Sequence, residues 1–461
     1  MKKHLLTSGF LFFIFCSCTI SPVFVFTLES GVLASQSSSI FPRAFTWGGD
    51  FFDEGSSIAI DQERNIYTVG TGSLLDGGLN DQILLKWNSQ GYLLWNQTWK
   101  GIGYDYGKDL AIGTSGSIYT VGYTNSTGSG NSDFLLVKWD SEGFQLWNRT
   151  WGGTRWDSAW GIALGENESV YTIGETWSNT DPDIVLIKWN SEGNILWERK
   201  WGGTSWDRGY DVTLDEDGNI YTVGIKRAFG EGTQDILLIK WDSEGNQLWD
   251  RTWGGEADDI GMGVKIDLEG YIYTVGSTAS YVQRGTDVIL IKWDADGNIL
   301  WNETWGGIDT ELGNDLVIGN NEYLYTVGQM KHTGLFGVGN YILSLVKWDS
   351  QGNKIGIQTW SGSNNDEGQG LAMDQYNNIY CVGHTVMEES NSYDLVLVVF
   401  SDSNFTTAGL EPAPGLGIVL EPIAAISLAI LINGVLYFPV IVLVVVILAF
   451  YINKRNHGKL K

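Results

Sequence analysis

Six residues after each of seven tryptophans stands an acid: Asp53, Asp105, Asp157, Asp207, Asp259, Glu311 and Asp366 follow Trp47, Trp99, Trp151, Trp201, Trp253, Trp305 and Trp360. Carboxylates spaced this way have two chemistries open to them. They can accept backbone N–H groups in the turn that leads into a strand and so fix its shape. They can also form a ring of oxygen donors around a central channel and hold cations, which makes them the metal candidates of this chain. Turn capping is the reading adopted. The runs DEDGN at 215–219 and DADGN at 294–298 resemble the start of a calcium loop but lack its downstream bidentate Glu, so they are read as hairpin turns.

A second set of residues does not repeat. Phe51, Phe52, Tyr104, Tyr106, Trp156, Trp160, Trp206 and Tyr210 follow the first four of those tryptophans, with Trp177 in a nearby loop, and the last three positions have no counterparts. Aromatic faces beside Arg155 and Arg208 suit a sugar chain, an extended peptide or a partner protein. The ligand candidates are therefore Phe52, Tyr104, Tyr106, Arg155, Trp156, Trp160, Trp177, Trp206, Arg208 and Tyr210. The competing role for these rings is to fill gaps between repeats near a channel mouth. Catalysis has less to draw on. Only His332 and His384 lie in the repeats, no Gly-x-Ser-x-Gly elbow occurs, and no two histidines stand with a carboxylate at metal-binding spacing.

The elements that must position these residues follow from the repeat itself. Residues 201–253 contain four runs rich in β-branched and aromatic residues, at 210–214, 219–224, 235–241 and 246–253. Gly-containing five-residue segments separate the first two and the last two, as in tight hairpins. The product is a four-stranded antiparallel meander with two apolar faces, which must stack on copies of itself. The seven tryptophans recur at spacings of 52, 52, 50, 52, 52 and 55 residues. That period predicts an all-β fold, a seven-bladed β-propeller over residues 40–402. The last repeat lacks its fourth strand, and AFTW at 44–47 matches the missing piece, so residues 40–47 are expected to close the ring. Loops between second and third strands should share one face with the interblade links. They are long and variable, which points to that face for binding.

The stretch GGDFFDEGSSIAIDQERNIYTVG followed by DQILLKWNSQGYLLW resembles the SBBP-type β-propeller repeat, and the resemblance covers residues 47–402. It departs from that pattern at Tyr341, where the acid before the third strand is lost, and at Val399, where the Lys is lost. The resemblance implies a propeller in an exported or surface-attached protein and no single activity. Residues present in nearly every repeat are assigned to packing: the tryptophans Trp87, Trp139, Trp189, Trp241, Trp293 and Trp348, and the lysines one place before each.

The ends bear on location. Residues 1–35 begin with two lysines before an apolar run and read as a secretory signal or N-terminal anchor. Residues 403–427 form a stalk, residues 428–452 a single transmembrane helix with two shorter spans broken at Pro439 as the alternative, and residues 453–461 a basic cytoplasmic tail. Net charge is −26, from 54 acidic and 28 basic residues, which argues against nucleic acid as a partner. Asn96, Asn125, Asn148, Asn167, Asn302 and Asn404 lie in N-x-S/T sequons and are glycosylation candidates if the host modifies exported chains. The expectation is a single-pass protein of the cell membrane with its propeller outside. It binds an extracellular glycan, peptide or protein, with no cofactor and no catalytic residues assigned. A surface enzyme acting on polysaccharide, or a structural part of a surface layer, are the alternatives.

Overall fold

Central strands of a stacked sheet are buried on both faces, so they should read as unbroken apolar runs, while edge strands alternate. In blade 1 the second strand, Ile66–Gly72, is buried throughout, as is all of the third, Asp81–Trp87, except Lys86. In the fourth, Leu93–Trp99, only Trp99 is buried. A computed structural model of the chain describes residues 42–49, 51–73, 79–177, 181–227, 233–282, 284–333, 339–362, 364–387 and 392–405. It is a seven-bladed β-propeller of four-stranded antiparallel sheets. The expected leader, the membrane helix at 428–452, the basic tail and the stalk beyond residue 405 lie outside the described residues. Among the described residues no helix is long and apolar enough to cross a membrane.

Six blades take their strands consecutively. The seventh combines Asn364–Met373, Asn378–Val386 and Tyr393–Ser401 with the N-terminal strand Arg43–Trp47, in register from Arg43 opposite Val399 to Trp47 opposite Leu395. The chain's two ends thus meet in one sheet. In blade 4 the inner strand is Asp207–Leu214, beginning three residues before the apolar run seen in sequence, because Asp207 already pairs with Lys226. The register also places Ile342, not Tyr341, where the other blades carry the acid before the third strand, since Met330 opposite it corresponds to Thr278 opposite Asp287.

The core lies between blades. Tyr171, Ile173, Ile184 and Leu186 of blade 3 pack against Val212, Ile220, Leu237 and Trp241 of blade 4, and equivalent clusters recur around the ring. Each third-strand tryptophan donates its indole N–H to a second-strand threonine, as Trp189 does to Thr172 Oγ1 at 3.0 Å. The lysine before it lies over a second-strand tyrosine, Lys188 to Tyr171 at 4.9 Å, and donates to a carbonyl in the next blade's turn, Ser243 O at 3.3 Å. These repeated residues latch blade to blade.

Candidate functional site

Inner strands of all seven blades face the central channel, and each carries a β-bulge at one shared position, blade 7 having a second irregularity between Asn364 and Glu367. The register skips a residue at Ser56, Lys108, Trp160, Tyr210, Met262, Asn314 and Gln369. A bulge re-aims its side chain. All seven line a cavity of about 270 Å³.

Blades 2 to 4 give this mouth a continuous aromatic arc. Tyr106 stacks on Tyr123 at 4.6 Å between ring centres, Tyr123 meets Trp160 at 6.0 Å, and Trp160 meets Tyr210 edge-on at 5.7 Å. Tyr104 extends the arc outward, 6.5 Å from Tyr106. The Arg208 guanidinium lies 5.1 Å from Trp160, 4.9 Å from Trp206 and 5.6 Å from Tyr210, and is paired with Glu175 at 2.9 Å. Trp206 donates to the same Glu175 at 3.2 Å. Lys108 sits 5.2 Å from Trp160 and 5.9 Å from Tyr106, and forms no ion pair among the described residues. Burial pushes the Tyr123 hydroxyl above its usual range.

Six of the ten sequence candidates, Tyr104, Tyr106, Trp160, Trp206, Arg208 and Tyr210, therefore share one surface. The other four do not join these contacts. Phe52 packs on Tyr393 at 5.4 Å, beside His384, whose Nε2 is 3.8 Å from Glu367. Trp156 is 51% exposed and its carbonyl accepts from Trp177 N, while the Arg155 carbonyl accepts from Asn131 N. Lys108, Tyr123 and Glu175 escaped the sequence reading. Lys108 occupies the bulge position that holds Trp160 and Tyr210 in the next two blades, so aligning repeats column by column would have found it.

Below the bulges runs a second feature that sequence reasoning missed. One residue farther along the inner strands stand Ser57, Asp109, Gly161, Asp211, Gly263, Asp315 and Gly370. Each Asp accepts from its own strand and from the following blade: Asp109 from Leu110 N and Ile162 N, both at 2.8 Å. Asp211 does the same with Val212 and Val264, and Asp315 with Leu316 and Leu371. Glycine in the receiving blade admits the next blade along, since a Cβ at Gly161 would stand 2.7 Å from Tyr210 O of blade 4. Ser57 donates to Asp109 at 2.6 Å. Lys265 is the counter-ion, 3.0 Å from Asp211 and 3.9 Å from Asp315. Burial, then the Asp211 charge, pushes Asp109 up to about 7; burial pushes Asp315 up to about 6. Burial alone would lower Lys265, but Asp211 and Asp315 hold it above its usual range.

The seven repeated acids do not line this channel cavity. They cap turns. Gly49, Gly101, Gly153, Gly255, Gly307 and Gly362 donate their backbone N–H to Asp53, Asp105, Asp157, Asp259, Glu311 and Asp366 at 2.7 to 3.1 Å, and Gly203 does so to Asp207. Burial pushes Asp53 and Asp207 up to about 6 and Glu311 to about 7, with the charges of Asp394, Asp183 and Asp287 adding to each in turn. Among the described residues no group of three or more His, Cys, Asp or Glu is arranged to hold a metal. Asp215 and Asp294 accept from Asn219 N and Asn298 N at 2.8 Å, inside hairpin turns. Of the sequon asparagines, Asn96, Asn125, Asn167, Asn302 and Asn404 are exposed and Asn148 is half-buried. The side chain of Asn125 is engaged with Tyr104 N at 2.6 Å.

No protein-family profile matches the chain. A stretch of 114 residues, 22% of this chain, is 26% identical to Regulatory protein FlaEY of Caulobacter vibrioides and spans 12% of that protein's length. Among solved structures, the chain resembles the Pan2 WD40 domain of Neurospora crassa at 9% identity and a TM-score of 0.47, over 76% of this chain and 89% of that one. It resembles the polysaccharide lyase Uly1 at 11% and 0.45, over 75% and 90%. Sqt1 of Chaetomium thermophilum follows at 10% and 0.44, over 76% and 97%. Each is a likeness of chain path alone.

Proposed function

We propose that this chain is an exported, membrane-anchored propeller of the SBBP type that binds a glycan, without transforming it, at the channel mouth on the interblade-link face. The arc Tyr106, Tyr123, Trp160 and Tyr210 carries the reading, because it departs from the repeat and two of its rings, Trp160 and Tyr210, line the cavity. Ring faces of this kind match the C–H faces of sugars. Glu54, Ser56, Asn314 and Gln369 on the far wall supply donors and acceptors for hydroxyl groups. Support for export and anchoring comes from the apolar stretches at 1–35 and 428–452 and the basic residues 453–461.

The test is a glycan-array screen of the full chain in detergent, with Trp160→Ala and Tyr210→Ala as variants of matched thermal stability. Loss of a stacking anchor should weaken binding at least about tenfold. Undiminished binding by both variants would move the site elsewhere, and turnover of a bound polysaccharide would make the protein an enzyme.

A further inference from the structure

At four blade junctions two carboxylates from neighbouring blades face each other across the first glycine of a Trp-Gly-Gly turn. A Cβ at Gly48 would stand 2.8 Å from both Asp394 Oδ1 and Asp53 Oδ2. At Gly152 the distances are 2.1 Å to Asp133 Oδ1 and 2.8 Å to Asp157 Oδ2. At Gly254 they are 2.1 Å to Asp235 Oδ1 and 2.8 Å to Asp259 Oδ2, and at Gly306 they are 2.2 Å to Asp287 Oδ1 and 2.8 Å to Glu311 Oε2. Glycine keeps each cradle open.

None of these eight acids forms an ion pair among the described residues. Several of their oxygens are also unanswered. Asp394 is 7% exposed and its Oδ1, which faces the cradle, has no hydrogen-bond partner. Asp157 Oδ1 and Glu311 Oε1, on side chains 1% exposed, are likewise without partners, as are Asp235 Oδ1 and Asp287 Oδ1. The charged neighbours that reach these pairs are Lys226, near Asp235, and Asp309, which adds a further negative charge near Glu311. Two buried negative charges without a counter-ion are costly.

We propose that these four junctions are divalent-cation sites, each holding a hard ion of the calcium class beside the turn glycine and bridging two blades through their carboxylates. Two carboxylates neutralise one such ion. An all-oxygen donor set selects calcium or magnesium over softer metals. The chain supplies two acidic side chains per junction, not three, so backbone carbonyls and water complete the shell. The junction between blades 6 and 7 is an internal control. There Ile342 replaces one acid and leaves Asp366 without a facing carboxylate. The inference stands apart from glycan binding, which uses other residues.

Terbium luminescence provides the test, because Trp47, Trp151, Trp253 and Trp305 immediately precede the four glycines and can sensitise a bound lanthanide. Metal-stripped full chain at pH 7.5 is titrated with Tb3+ and then with Ca2+. The expected result is saturable luminescence displaced by Ca2+, with a melting temperature that rises several degrees in Ca2+. Combining Asp287→Asn with Glu311→Gln should remove one equivalent of Tb3+ and leave the metal-free melting temperature equal or higher, which separates lost binding from lost folding. An absence of saturable luminescence and of any Ca2+ effect on melting would overturn the proposal. So would an unchanged Tb3+ stoichiometry in the double variant.

Discussion

Replacing Lys265 with Met would leave Asp109, Asp211 and Asp315 without their counter-ion in the channel. Breaking a buried ion pair by removing one partner costs about 3–5 kcal/mol. The Lys265 side chain is 36% exposed to channel water, so solvent screening lowers that to about 2–3 kcal/mol at pH 8. The cost must fall with acidity. Asp109 and Asp315 have folded-state values of about 7 and about 6 against 3.8 in the unfolded chain. Groups raised on folding favour the folded state below the unfolded value, and that benefit is lost as pH rises through about 6 to 7. At pH 5 both carboxyls are largely protonated in the fold, so losing Lys265 then leaves chiefly its partner Asp211 unanswered and costs less than at pH 8. Urea melts of wild type and Lys265→Met at pH 5, 6.5 and 8 should therefore show a penalty that grows with pH. Adding Asp109→Asn should recover part of it at pH 8. A penalty constant across pH, or no rescue, would refute the reasoning.

Two further outcomes follow from the ring. Deleting residues 36–46 removes most of the strand Arg43–Trp47 and exposes the edge of Tyr393–Ser401, so the truncated protein should melt at lower temperature and self-associate in size-exclusion chromatography. Trp189→Phe should cost about 1–2 kcal/mol from the lost bond to Thr172 and the smaller ring, and Trp189→Ala about 3–5 kcal/mol, in chemical denaturation.

What the sequence disclosed followed from what repeats. Trp189, Lys188 and Asp157 recur at fixed positions, and recurrence is what a stacked unit needs in order to pack, so blade number, strand order and the closing role of AFTW were all legible. The binding mouth was legible only in part. Trp160 and Tyr210 stood out by breaking the pattern, and ring contacts unite them with Tyr106. Lys108 and Tyr123 did not stand out, because a lysine or tyrosine in a strand is unremarked until the bulge shows where it points. Phe52 and Trp156 were grouped with the arc for their type and their place after a tryptophan. One packs on Tyr393 and the other faces solvent. The Asp109, Asp211 and Asp315 series was hidden by its period of two repeats, which a comparison of each unit with its neighbour cannot see.

That alternation also bears on how many blades the ring can have. A pattern of two closes evenly only around an even number of positions, and this ring is odd, so the order of Asp and Gly must fail once. It fails at blade 1, where Ser57 stands between Gly370 and Asp109, in the blade adjoining the sheet that joins the chain's two ends. Removing blade 1 alone would leave three complete Asp–Gly couples. Losing any other single blade would break a couple. Parity thus makes blade 1 the one repeat outside these couples, tied to the series only through the Ser57 hydroxyl on Asp109.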